Sequence, residues 1–482
     1  MTSSSVLKEA LLVAGLVIAL KGVRLSGVIA TSVDDNMRAE PPAEQRNNNG
    51  GWKPPDMEAV RKLYTSRCNI KRVSVNDLDG ERFEKEFRYK NPVLITFPNG
   101  AADWTVPEKW SQDYLRKNYG QRQMDIGSSL DIRRGDGRTT GNKRHSFIEF
   151  TDRLMRQTFQ GSDEARSFVW DHGFYREADF SSSLRLPSYL AERDNLDDGT
   201  FYLGASGSGV SFHAHNDGRG AMVFGRKRWF VYPATKSPPG GLFPFSVMEW
   251  YAHIYPKLTE EERPLECVQE AGEIFYIPEG YYHAVINIGD TIGMALVALK
   301  CVTVVRQLLN RYWNRFSEMM KQGKSPADFT EKQIKTGVSN LRRLRRILPD
   351  NIDVMLKLAA YYNDVGGKQQ EVRDLLMKVI DHDPYNVYAY CALGTVLARL
   401  NQLEEAEEFY LKARKLVPGY DLVHTEYGRF LVNTGRYDEA VHVLKTATTI
   451  APDKETAWSL LRVAQALSGD IDGAKATTEY IK

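Results

Sequence analysis

Cysteine is scarce in this sequence: Cys68, Cys267, Cys301 and Cys391 are the four among 482 residues, and no two form a Cys-x-x-Cys pair. A disulfide-built scaffold and a cysteine-ligated zinc module are thereby excluded. Neither sign of charge is in excess, since 64 Lys and Arg stand against 62 Asp and Glu for a formal charge of +2. Nothing pulls the chain as a whole toward nucleic acid or membrane, and any basic surface must be local. No apolar run reaches the roughly 20 residues of a membrane span. The longest, Ala10 to Leu20, has 11 residues, preceded by Lys8 and followed by Lys21, Arg24 and Val28-Ile29-Ala30. Its length fits the apolar core of a signal peptide, roughly 7–15 residues, or an uncleaved anchor that would hold the protein at a membrane; an amphipathic helix is the plainer reading. Asn-x-Ser/Thr sequons are absent, which neither supports nor excludes a lumenal setting.

What is present is ordinary for a folded protein, with 42% hydrophobic and 26% charged residues, in a chain longer than one core usually supports. Residues 1–30 read as signal peptide or anchor. Residues 31–56, with Pro41-Pro42, Asn47-Asn48-Asn49, Gly50-Gly51 and Pro54-Pro55, read as a flexible linker. A folded domain is expected over 57–300, where short β-rich runs dominate from Thr200 onward: Phe201 to Leu203, Met222 to Phe224, Trp229 to Tyr232, Ile274 to Ile277, Ala284 to Ile286 and Met294 to Leu299. Such spacing suggests a barrel or sandwich. Earlier, Val93 to Phe97 resembles a buried strand and Phe147 to Gln157 has helical spacing. A basic helical connector follows over 301–352.

From 353 to 482 the chain repeats. Pro384, Pro418 and Pro452 recur every 34 residues, Ala360, Gly394 and Gly428 share one register, and Ala406, Ala440 and Ala474 share another. Small residues let paired helices approach, each proline ends a second helix, and Gly367, Asn401, Gly435 and Gly469 mark the turns. This is the 34-residue tetratricopeptide pattern, an all-α solenoid whose concave face binds proteins or peptides. Tyr390, His424, Tyr427 and Trp458 fall where they either line that face or pack between helices.

The chemistry lies in Phe212-His213-Ala214-His215 and Tyr281-Tyr282-His283. On a strand, His213 and His215 point to one side, and His283 approaches from a later strand to complete a metal set. Alone, His283 would read as a hydrogen-bonded core histidine. A shifted frame, His215-Asn216-Asp217, offers a His-x-Asp pair, but Asn216-Asp217-Gly218 is a turn signal that places Asp217 outside the strand. Lys227, between Arg226 and Arg228, reads equally as a solvated basic turn. Tyr281 and Tyr282 read as packing residues.

The segments Tyr202 to His213, Gly225 to Pro233, and Ala271 to Pro278 with Tyr281-Tyr282-His283 resemble those of JmjC (cupin-like) 2-oxoglutarate oxygenases, and the likeness covers about residues 61–300. The resemblance implies a double-stranded β-helix in which His213 and His283 hold metal positions and Lys227 meets the distal carboxylate of 2-oxoglutarate beside Fe(II). His215 stands where that family has an acidic ligand, and Val210 where many members have threonine. Three imidazoles leave an Fe(II) site one negative charge short. The resemblance also implies the endoplasmic reticulum lumen or secretory pathway, and a bridge between Cys68 and Cys267 on the order of 4–5 kcal/mol in the chain-entropy model; two free buried thiols are the alternative. Two functions follow: a protein-binding adaptor that keeps a degenerate His213, His215, His283 site, or an active Fe(II)/2-oxoglutarate protein hydroxylase.

Overall fold

The computed structural model describes residues 49–128, 144–156, 158–159, 162–191, 199–241, 246–298, 339, 341–342, 345–346, 351–365, 368–452 and 454–481. The signal or anchor segment, the linker up to residue 48, most of the connector, and Cys301 and Gly367 lie outside the described residues. Among the described residues no helix is long and apolar enough to cross a membrane.

Among the described residues eleven strands form the N-terminal domain: β1 (Lys71–Ser74), β2 (Val93–Thr96), β3 (Gln123–Ser128), β4 (Arg144–Ser146), β5 (Thr158–Phe159), β6 (Ser162–Asp171), β7 (Thr200–Gly204), β8 (Gly218–Tyr232), β9 (Leu265–Gln269), β10 (Ile274–Ile277) and β11 (Tyr282–Val297). The sheet runs β1-β2-β10-β8-β11-β7-β6-β3-β4, with β5 on β6 and β9 on β8. Helical structure over Phe147–Asp152 continues as a 3-10 turn over Leu154–Arg156. Four runs that the sequence separates turn out to be halves of two long strands: β8 contains both Met222 to Phe224 and Trp229 to Tyr232, and β11 both Ala284 to Ile286 and the start of the last run. The β8–β11 ladder is interrupted between Ile288 and Ile292. There Gly225 and Gly289 adopt φ of +89° and +80°, and a Cβ on Gly225 would lie 2.2 Å from the Asp290 carbonyl oxygen, so glycine breaks the apparent strand where the ribbon bends. Before the bend β8 pairs with β10, and after it with β9. Its two halves therefore serve opposite parts of a mostly-β, cupin-like domain.

Eight helices follow among the described residues, from Ile352–Val365 to Ile471–Thr477. Gly394 and Gly428 sit under the Tyr410 ring and the Leu444 side chain, where a Cβ would come within 2.9 and 2.5 Å. Asn401, Gly435 and Gly469 all have φ between +61° and +92°, so the turn register is a left-handed position that Gly and Asn tolerate. Tyr427 and His424 are buried, and Trp458 stacks on Tyr480 at 4.2 Å. Tyr427 and His424 thus pack between helices, whereas the Trp458–Tyr480 pair lies partly exposed.

The repeats do not bury their apolar surface against one another alone. Ser246 and Glu249 form a capping box that starts the helix Val247–His253, and Val247, Met248 and Trp250 of that helix join Phe212, Phe230 and Tyr232 in one apolar cluster with Val387, Cys391, Ala413, Val417 and Tyr420 of the solenoid. Beside it the Gly240 amide donates to Asp383 Oδ1 at 2.9 Å. Asp383 also accepts from the Asn386 side chain and the Tyr385 amide. Burial raises its carboxyl to about 6, against the lowering effect of those donors. The barrel and the second and third repeats thus share a core.

Candidate metal centre

The segment before β8 is extended rather than a regular strand, held to β11 by one isolated bridge, His213 with His283. The His213 amide donates to the His283 carbonyl at 3.1 Å, and the His283 amide returns the bond at 2.9 Å. Val285 and Asn287 amides donate to Val210 and Ser208, so the chain from Ser208 to His213 lies along β11. Gly209 makes this approach possible, since a Cβ there would stand 1.9 Å from the Val285 carbonyl oxygen.

This pairing brings His213, His215 and His283 together: one ring nitrogen from each lies within 4.8 Å of the others. The remaining nitrogens are occupied. Nδ1 of His213 faces the Ser211 carbonyl at 2.9 Å, Nδ1 of His215 the Asn216 carbonyl at 2.6 Å, and Nδ1 of His283 the Tyr281 carbonyl at 3.1 Å. A carbonyl oxygen can only accept, so each Nδ1 carries a hydrogen, and in the neutral ring the lone pair then falls on Nε2. Burial pushes the His213 imidazole below the usual histidine range, against the raising effect of its bonds to Ser211 and His283. This favours the neutral form a metal requires.

Lys227 lines the same cavity, a small one of about 40 Å³ also bounded by Trp170, Tyr202, Val210, Arg219 and Trp229. It is not a solvated turn residue: its exposure is 5%, and Nζ lies 3.0 Å from the centre of the Tyr202 ring. Burial alone drives its ammonium well below the usual lysine range. Its neighbours point elsewhere, Arg226 to Glu270 and Arg228 to Glu266. Trp229 sits 5.9 Å from the His283 ring and donates to Gln269 Oε1 at 2.8 Å. Gln269 in turn donates to the Gly220 and Glu273 carbonyls. Tyr281 donates its hydroxyl to the Lys90 carbonyl, and Tyr282 is buried.

Asp217 stands in the bend that precedes β8, as the turn signal implies. It is fully buried, with its carboxylate 3.4 Å from Arg219 and 3.9 Å from Arg88, and it does not join the histidine group. Two cations hold it, so the shifted His-x-Asp frame is not formed. The donor set is three imidazoles: it fits a divalent cation, it lacks the anionic ligand of an Fe(II)/2-oxoglutarate centre, and Val210 brings no hydroxyl to the cavity. Sequence reasoning missed Trp170, Tyr202, Trp229 and Arg219 as cavity walls; Trp229 was findable, being two positions after Lys227 on one strand.

Cys68 and Cys267 are joined, 199 positions apart. Cys267 lies directly across from Trp229 in the β8–β9 ladder.

Comparison with known proteins agrees with this architecture. Residues 79–319 match the family model for a cupin-like domain, and residues 375–408 and 423–454 match tetratricopeptide repeat models. JmjC domain-containing protein 8 of Mus musculus is 40% identical over 252 residues, covering 50% of this chain and 87% of that protein. Its Homo sapiens counterpart is 28% identical over 269 residues, covering 52% and 90%. Arginine-specific demethylase JMJ22 of Arabidopsis thaliana is 27% identical over 262 residues, covering 49% of this chain and 47% of that relative, about half its length.

Proposed function

The chain belongs to the cupin-like JmjC family and carries tetratricopeptide repeats, and from that premise we propose that it is a protein-binding adaptor of the secretory pathway built around a metal-holding, three-histidine cupin site. The observation that carries the reading is that one ring nitrogen from each of the three histidines lies within 4.8 Å of the others while each Nδ1 is fixed on a backbone carbonyl. Outer partners of this kind fix ring orientation and raise ligand basicity. The Cys68–Cys267 bridge supports the compartment, since disulfides persist in oxidising surroundings. The repeats supply the protein-binding surface.

In this reading His213, His215 and His283 hold the ion, Trp229 keeps the His283 ring in place, and Lys227 receives an acidic group at the other side of the cavity. The missing carboxylate separates this protein from its catalytic relatives. The test is metal content and 2-oxoglutarate turnover of the purified full chain. Bound metal in the wild type, at least about tenfold weaker retention in His283→Ala and no turnover are expected; a metal-free wild type, or brisk 2-oxoglutarate decarboxylation, would overturn the adaptor reading.

A second reading, an active Fe(II)/2-oxoglutarate hydroxylase, is favoured by one observation: Lys227 is buried in the cavity with a tyrosine ring, not a carboxylate, against its ammonium. When bound, Fe(II) and 2-oxoglutarate would, with dioxygen as the oxidant, supply hydroxylation of a substrate C–H bond, one oxygen atom going to that carbon and the other to the succinate left as 2-oxoglutarate loses CO2. An uncompensated buried charge costs several kcal/mol, and a carboxylate entering the cavity would offset that cost. Lys227→Met is therefore expected to melt at or above the wild-type temperature while losing any calorimetric signal for 2-oxoglutarate binding. A variant that melts lower and still binds the acid would remove Lys227 from this role.

A further inference from the structure

Resting on the metal-site reading above, we infer that the all-imidazole triad selects a late, borderline-soft divalent ion of the zinc type and discriminates against the harder ions, manganese above all, that a carboxylate-bearing cupin site accepts. The argument begins with the donor atoms. Among the described residues the cluster consists of His213, His215 and His283, with no carboxylate in the group. Imidazole suits zinc, copper, nickel and iron, whereas oxygen donors suit manganese, magnesium and calcium. Replacing the one oxygen donor of a facial triad by nitrogen therefore removes the ligand on which a hard ion depends most.

The surroundings deepen the effect. The carboxylate nearest in sequence, Asp217, is held between Arg219 and Arg88. The cavity wall carries Lys227 and Arg219 but no acidic side chain. An ion here receives no anionic compensation from the wall, so its affinity rests on the strength of its bonds to nitrogen. Zinc–imidazole bonds of about 2.0–2.1 Å are short and strong, and three His with one open position is a zinc arrangement. Each ring is already oriented through Nδ1, and what remains is for nitrogens lying within 4.8 Å of one another to close on a common ion.

The zinc-over-manganese order is general among nitrogen and oxygen sites, so the informative quantity is how far the ratio widens. The full chain, stripped by chelation, is titrated with Zn(II), Co(II), Fe(II) under anaerobic conditions, and Mn(II), each in competition with a chromophoric chelator. The wild type is expected to hold Zn(II) far more tightly than Mn(II), and His215→Asp to narrow the Zn/Mn ratio by at least about tenfold, with Co(II) absorption bands reporting the changed donor set. Thermal melting of the metal-free variants checks folding, and His215→Gln, which offers a neutral oxygen, should narrow the ratio less than His215→Asp. Wild-type protein that holds Mn(II) within tenfold of Zn(II), or a ratio unchanged in a folded His215→Asp, overturns the selectivity while leaving the metal site standing. Failure to hold any of the four ions overturns both.

Discussion

Deleting residues 353–482 is expected to leave a barrel that aggregates or melts well below the full chain, rather than an intact domain without its binding arm. Phe212, Phe230, Tyr232, Val247, Met248 and Trp250 share one cluster with Val387, Cys391, Val417 and Tyr420. Removing the solenoid exposes the barrel half of that cluster as a contiguous apolar patch. Burial of a large apolar side chain is worth roughly 1.5–3 kcal/mol, so several such residues together match a typical domain stability of about 5–15 kcal/mol. A point version keeps the chain complete: Val417→Asp puts a charge at a position 4% exposed. Because Phe212 precedes His213 and meets Trp250 at 4.8 Å, that lesion should also weaken metal retention. Calorimetry of the full chain should give one coupled transition. A soluble 49–352 fragment with the wild-type melting temperature would disprove the shared core.

The second large effect is expected from the disulfide. Replacing both Cys68 and Cys267 by serine removes a constraint on a loop of 199 positions, about 5 kcal/mol in the chain-entropy model, and should lower Tm by about 10 °C or more. The bridge pins the segment before β1 along β9: the Asn69 amide donates to the Glu266 carbonyl, and its side chain accepts from the Glu266 amide at 2.7 Å. Cys267 faces Trp229 across the ladder, and Trp229 lies against His283. The double serine variant should therefore lose metal affinity as well as stability, and reductant should reproduce both changes in the wild type but not in the variant. A drop of under about 1 kcal/mol in denaturant unfolding would show that the bridge closes nothing of consequence.

The repeats were the most legible part of the sequence, because a 34-residue period repeats proline, small residues and turn residues whose physical demands are local. Asn401, Gly435 and Gly469 needed only a left-handed backbone. The histidine set was legible as residues but not as structure. His213 and His215 lie in an extended segment held by one bridge rather than in a strand, and period-two reasoning reached the right grouping through an element that is not regular. Asp217 was placed in its turn correctly, but its burial was not legible, because a turn signal says nothing of Arg88, 129 positions earlier in the chain, which stands 3.9 Å from the carboxylate. The long strands β8 and β11 were divided at Gly225 and Gly289, since a glycine that bends a strand and one that ends it look alike in sequence. The docking of solenoid on barrel had no local signature: Trp250 and Val417 carry the same apolar pattern whether they face their own domain or the other.

The three backbone carbonyls that hold the imidazole Nδ1 atoms have a thermodynamic consequence for loading. In small zinc modules the unfolded chain gains its structure from the ion, so chelation and denaturation are one event. Here the rings are anchored by the polypeptide itself. Under the metal-site proposal, the framework would stand with or without the ion, and occupancy would follow free-ion concentration through simple mass action, adding RT ln(1 + [M]/Kd) to stability. Such a site can be emptied and refilled over the lifetime of one folded molecule, and its occupancy can track the supply of metal around it without the chain ever coming apart.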